Sequence, residues 1–242
     1  MSSKIYAENL VKFYGRRQVV KGVTIEVGVG KIVGLLGPNG AGKTTTFSMI
    51  MGSVPVNGGR VFLDSEDITF LPMYLRARKG LGYLPQEVSI FQNLSVEENL
   101  LAICETLPMD KKDRDNKVEL ILEKLNLKHL RKQKAYTLSG GEKRRCEIAR
   151  ILLTSPKFLL LDEPFTGIDP ITVQELKKII SDIKSQGLGI LITDHNVQDT
   201  LDIVDEAYII YDGQILIKGS AQELVSSEEA RKIYLGEKFK LR

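Results

Sequence analysis

Cysteine and histidine are scarce in this chain, at two of each in 242 residues. Cys104 and Cys146 show no metal-ligand spacing, and two lone thiols suit a reducing compartment. Long apolar runs are missing too. None approaches the roughly 20 residues that a bilayer span requires. The stretch from Met1 to Gly15 has no uninterrupted apolar core of the kind a signal peptide carries. Nor does one sign of charge dominate: 34 basic against 31 acidic residues leave a net charge of +3. That near-balance gives no support to nucleic acid as the main partner. The basic clusters Arg131-Lys132-Gln133-Lys134 and Lys143-Arg144-Arg145 read as a solvated face. A cytoplasmic protein is expected, with any membrane connection made through a partner. The length suits one large α/β domain or two small ones.

What is present centres on Gly37-Pro38-Asn39-Gly40-Ala41-Gly42-Lys43-Thr44, which fits the phosphate-loop spacing G-x-x-x-x-G-K-[ST]. The apolar run Ile32–Leu36 before it has strand length, and Thr45 to Met51 after it can be a helix. Glycines open φ values closed to other residues, so successive backbone N–H groups can turn toward one anion. The helix that follows points its positive end there. Lys43 adds a full charge for the β- and γ-phosphates, and the Thr44 hydroxyl can hold Mg²⁺. An ordinary glycine turn would explain one or two glycines, but not Lys43-Thr44 at this offset.

Strands are expected at Lys4–Tyr14 and Val23–Val27. With Arg60–Leu63 and Asp67-Ile68 they make a small antiparallel sheet beside the nucleotide core. Leu81–Leu84 is a short strand closed by Pro85. Helical periods run from Ser95 to Leu107, Asp113 to Leu125 and Gly140 to Thr154. A helical subdomain inserted at about 87–156 of a domain covering 1–242 is therefore expected. Phe158–Leu161 and Gly189–Thr193 are continuously apolar, like parallel strands covered on both faces. Asp169-Pro170 starts a helix as N-cap and first residue, which turns Val173, Leu176, Ile180 and Ile183 inward. Asp212-Gly213 is a hairpin turn.

Asp162-Glu163 closes one buried strand, where open α/β sheets bind their ligands. Asp162 suits the oxygen shell of Mg²⁺, and Glu163 suits general-base or water-positioning work. The phosphate-loop strand and this acidic strand are expected to be neighbours. Ser139 and Glu142 have capping-box spacing. Gly140 and Gly141 in the first turn would weaken that helix, but leave N–H groups open to a second anion.

Together these pieces resemble the nucleotide-binding subunit of an ATP-binding cassette transporter, in the right order and over nearly the whole chain. Gly37–Thr44 corresponds to Walker A, Gln86 to the Q-loop, Leu138–Glu142 to the signature and Phe158–Glu163 to Walker B. Gly167-Ile168-Asp169 stands at the D-loop and His195 at the switch position. The resemblance implies an α/β P-loop NTPase fold: a RecA-like core, an antiparallel β subdomain and an inserted helical subdomain. It implies ATP and Mg²⁺ as ligands. Tyr14 would stack on adenine. Gly37 through Thr45 would hold the phosphates, and Thr44, Gln86 and Asp162 would face the ion. Glu163 would polarise the attacking water and His195 would contact the γ-phosphate. It also implies a head-to-tail pair with a second copy, in which Ser139, Gly140 and Gly141 close on the partner's nucleotide. Membrane subunits would dock near Gln86 to Phe91, leaving this protein peripheral on the cytoplasmic face of the inner membrane. Within the family, the chain is most similar to the ATPases of lipopolysaccharide export. Gly82–Glu87, Ser89-Ile90-Phe91, Ile192–Asn196 and Tyr234–Glu237 carry that similarity, while Gln92 and Asn93 depart from it. The alternatives are a subunit for branched-chain amino-acid uptake and a soluble, non-transport ATPase of the family. Soluble members usually carry two cassettes or a long coiled coil between Walker A and Walker B, and this chain has neither. A GTP switch is disfavoured, because the chain has no Asn-Lys-x-Asp motif to read the base.

Overall fold

The computed structural model describes residues 3–236 and 239. Two sheets organise it. The first has order β2-β1-β4-β5 and is antiparallel, built from β1 (Lys4–Tyr14), β2 (Arg17–Gly28), β4 (Gly58–Leu63) and β5 (Glu66–Asp67). The second has order β10-β9-β3-β8-β7-β6. Its members are β3 (Ile32–Leu36), β6 (Leu81–Leu84), β7 (Phe158–Asp162), β8 (Gly189–Thr193), β9 (Glu206–Tyr211) and β10 (Gln214–Gly219). All its pairings are parallel except the hairpin β9–β10. That hairpin turns at Asp212 and Gly213, with φ of 45° and 79°, as a two-residue turn requires.

The central strands β3, β7 and β8 are buried at every position. The period-2 alternation sorts their side chains. Val33, Leu35, Leu160 and Leu191 face the antiparallel sheet and helix α1 (Lys43–Met51), whose Phe47, Met49 and Ile50 fill the gap. Ile32, Leu159, Leu161, Ile190 and Ile192 face the other way. There they meet helices α3 (Val96–Cys104), α4 (Lys111–Lys124), α5 (Gly140–Leu152) and α6 (Pro170–Ser185). The four inward residues expected on α6 are all buried. Asp169 caps that helix, accepting from the N–H groups of Ile171 at 3.1 Å and Thr172 at 3.0 Å.

The sequence reading needs correction in four places. First, β3 and β7 are not neighbours, because β8 lies between them. Second, Lys143-Arg144-Arg145 is not a solvated cluster. Arg144 and Arg145 are buried on α5 and pair with Glu147 and Glu175. The turn of the helix, not the run of charge, decides which residues face out. Third, the second strand begins at Arg17, since cross-strand pairing with β1 continues back to the turn. Fourth, two short helices escaped the reading: α2 (Met73–Arg78) and α7 (Val197–Leu201), each too short to show a period.

Arg76 on α2 is buried and donates to four main-chain carbonyls, those of Leu71, Met49, Ile50 and Thr69. Two of these are last-turn carbonyls of α1, groups that a helix end leaves without internal partners. Burial lowers the pKa of Arg76 to about 10. After β10 come α8 (Ala221–Ser226), a single helical turn Glu228–Ala230 and a π-helical turn Arg231–Leu235. Glu237 lies outside the described residues.

Candidate functional site

The phosphate-loop sequence joins the end of β3 to the start of α1, as its spacing predicts. Gly37, Gly40 and Gly42 have φ of 154°, 75° and 107°. A Cβ on Gly37 would lie 2.1 Å from the carbonyl oxygen of Ile210, so glycine is required there by space as well as conformation. Gly42 is the N-cap of α1 and offers no side chain, so the first N–H groups of the helix are left for a ligand. The Lys43 ammonium is turned onto its own loop, donating to the carbonyls of Gly37 at 2.6 Å and Pro38 at 3.0 Å. Burial lowers its pKa, and the nearby charges of Glu163 and Asp162 oppose that shift. The cation and the two carboxylates therefore share one site across the ends of β3, β8 and β7.

A cleft of about 420 Å³ opens there. Asn39, Gly40, Gly42, Lys43, Thr44 and Thr45 form one wall, and Gln86, Glu163 and His195 the other. Glu163 is the point of convergence. Gln86 Nε2 donates to its Oε2 at 2.8 Å, and His195 Nε2 lies 2.6 Å from its Oε1. Its backbone is left-handed, with φ of 50°. A non-glycine residue takes that conformation at a cost of about 1–2 kcal/mol, and such outliers gather at functional sites. Asp162 is buried, and burial together with the Glu163 charge raises its pKa. One of its oxygens, Oδ1, has no hydrogen-bond partner; Tyr83 donates its hydroxyl to the other at 3.4 Å. Burial, then Asp162, pushes the Tyr83 phenol up to about 12. A buried carboxylate oxygen left without a donor fits a divalent cation, a hard ion that prefers oxygen ligands.

Several expected residues stand elsewhere. Ser139, Gly140 and Gly141 do not line the cleft. Ser139 and Glu142 do form the capping box, with N–H to side-chain distances of 2.7 and 3.3 Å. Gly141 has a packing reason to be glycine, since a Cβ there would meet Thr172 Cγ2 at 2.0 Å. Gly140 has no such reason: it is exposed, and its nearest neighbour would be 3.7 Å away. Pro38 and Ala41 shape the loop, and the Ala41 N–H closes onto the Pro38 carbonyl at 3.2 Å. Tyr14 is half exposed at the end of β1, with the Lys12 ammonium 5.5 Å from its ring centre. It pairs across the strands with Arg17, which does line the cleft.

Sequence reasoning missed Arg17, Tyr83, Arg144 and Asp194. Arg144 donates to the carbonyls of Pro85, Gln86 and Glu163 and to the Glu147 carboxylate. Asp194 is buried and its pKa is raised by that burial. Only Arg17, beside the Gly15 turn, carried a local signal. The others depend on pairings distant in sequence. A second, apolar cavity has a volume of about 250 Å³; Met51, Met73, Ala77, Tyr83, Glu147 and Arg150 are among its walls. Phe91 stands beside it, half exposed, with the Arg150 guanidinium 4.5 Å from its ring centre.

Residues 20–166 match the family described as "ABC transporter". The chain is 53% identical over 241 residues to the "Lipopolysaccharide export system ATP-binding protein LptB" of Acidithiobacillus ferridurans, covering 100% of both chains. It is 51% identical over 240 residues to the protein of that name in Haemophilus influenzae, covering 99% of this chain and 100% of the other. In architecture it is similar to the ADP conformation of MJ1267, an ATP-binding cassette of an ABC transporter. The TM-score is 0.87 at 31% identity, over 98% of this chain and 100% of that one.

Proposed function

This chain belongs to the ABC transporter family of ATP-binding proteins, and from that premise we propose that it powers the export of lipopolysaccharide. As a member of the family it hydrolyses ATP to drive transport. The cargo is inferred from the full-length likeness to lipopolysaccharide export ATP-binding proteins. The observation that carries the catalytic reading is the convergence of Gln86 and His195 on the Glu163 carboxylate, opposite Lys43.

Gly37, Pro38, Asn39, Gly40, Ala41 and Gly42 would wrap the phosphates with their main chain, and Lys43, Thr44 and Thr45 would meet them from the first turn of α1. Thr44, Gln86 and Asp162 would hold Mg²⁺, which supplies neutralising charge to the phosphate oxygens. Glu163 orients the attacking water and accepts its proton, and His195 holds Glu163 and the γ-phosphate in line. Positioning and charge stabilisation are the main sources of rate in phosphoryl transfer. Tyr14, beside Arg17, would carry the adenine. Ser139 and Gly140 are exposed and lie off the cleft, which supports their use on the nucleotide of a second copy. The helical segment 87–156 would act as an inserted subdomain, with the apolar cavity beside Phe91 receiving a membrane subunit. Among the described residues no helix is long and apolar enough to cross a membrane itself.

The test is reconstitution with the integral subunits that co-purify from detergent-solubilised membranes, followed by ATP-driven release of lipopolysaccharide from proteoliposomes. Glu163→Gln is expected to keep ATP affinity and lose both turnover and release. Normal turnover in that variant removes Glu163 as the base, and turnover without release removes the cargo.

A further inference from the structure

The parallel ladder between β7 and β8 ends at the pair Asp162 and Thr193. One more main-chain bond follows, from Glu163 N–H to the Thr193 carbonyl at 2.7 Å. Beyond it the two chains diverge, one into Glu163–Asp169 and the other into the segment that carries His195. Asp194 spans that divergence. Its Oδ2 accepts from the Phe165 N–H at 2.9 Å, and its Oδ1 from the Asn196 N–H at 2.9 Å. Asp194 is 1% exposed, and Phe165 is itself packed in the core. His195, the next residue, points the other way and lines the cleft.

We propose that Asp194 is a positioning residue, which fixes the spacing between Glu163 and His195 by bridging the two loops that carry them. A carboxylate suits this because each oxygen meets a separate backbone donor; an amide could accept at only one. The far side of the His195 segment is held as well. The Asn196 side chain caps α7 by accepting from the Asp199 N–H at 3.1 Å. Asp199 in turn takes the buried Lys177 ammonium at 2.6 Å, anchoring it to α6. His195 is thus held on both flanks, and the bond from Phe165 to Asp194 is the one that ties it to Glu163 from behind.

The inference rests on the reading of Glu163 and His195 given above, so the variants must separate the two. Asp194→Ser keeps a short acceptor for the local bond to Asn196 and loses the reach to Phe165. Its kcat for ATP is expected to fall about 10- to 100-fold, the scale of a displacement near 1 Å at reacting groups. KM and ATP affinity are expected to hold. In a His195→Ala background the same change is expected to produce no further fall, because the bridge acts through His195. Asp194→Asn, of the same shape, is the second variant and is expected to fall between wild type and Asp194→Ser. Three results overturn the bridge: wild-type kcat in both Asp194 variants while His195→Ala is slow, a full additional loss in the double variant, or ATP affinity that drops in step with kcat. Full kcat in His195→Ala alone overturns instead the role given to the histidine, and with it any action of Asp194 through that residue.

Discussion

Replacing Arg144 by methionine is expected to destabilise the protein more than any surface charge could. Arg144 is 5% exposed and its partner Glu147 2% exposed. Methionine would leave the Glu147 carboxylate buried with Ser89 as its remaining partner, through N–H and hydroxyl at 2.5 and 3.1 Å. It would also strip donors from the carbonyls of Pro85, Gln86 and Glu163. Removing one member of a buried pair costs about 3–5 kcal/mol, mainly because the other charge stays uncompensated. At about 2–4 °C per kcal/mol for a chain of this size, the unfolding midpoint should drop by about 6–20 °C. Heat unfolding followed by circular dichroism reads this directly. Glu147→Leu should cost a similar amount. The double variant should recover part of the loss, with a coupling of about 2–3 kcal/mol, since an apolar pair carries no stranded charge. ATP turnover should fall in Arg144→Met beyond what stability explains, because the Glu163 carbonyl loses its anchor. A cost under about 1 kcal/mol, the range of exposed pairs, would refute the argument. So would strict additivity in the double variant.

Ser139→Arg should leave nucleotide binding by the monomer intact and abolish ATP-driven pairing; an ATP-dependent dimer in light scattering would remove Ser139 from the interface. The Cys146 thiol is pushed up to about 12 by burial, and burial raises Cys104 as well. A raised pKa leaves less thiolate at any given pH, so at pH 8 both thiols should resist a disulfide reagent in the native protein and react once it is unfolded. Fast labelling of the native chain would contradict their burial.

Local signals made the loop, the buried strands and the capped helices legible. Gly37 to Thr44, Asp169-Pro170 and Asp212-Gly213 each constrain the backbone within a few residues, and each stands where it was expected. Strand order was not legible in the same way. Ile32–Leu36, Phe158–Leu161 and Gly189–Thr193 are equally apolar, so nothing in them says which one sits in the middle. The charge run Lys143-Arg144-Arg145 misled because adjacent helical positions are about 100° apart, and two of the three turn inward. Asp194 read as part of a similarity and not as a functional group, because its partner Phe165 is 29 positions away. Residues whose work is to join distant loops leave no spacing to find.

The Arg76 guanidinium has a mechanical consequence. It stitches α2 to the last turn of α1, while the first turn of α1 carries Lys43 and Thr44. Met51 at one end of that helix and Met73 at the start of α2 both border the apolar cavity. The nine residues of α1 span about 13 Å. A helix that short is stiff, and four carbonyls on one planar fork leave it little freedom to swivel. A push felt at the cavity wall therefore reaches the phosphate end as movement of a strut, and needs no chain of loosely coupled side chains to carry it.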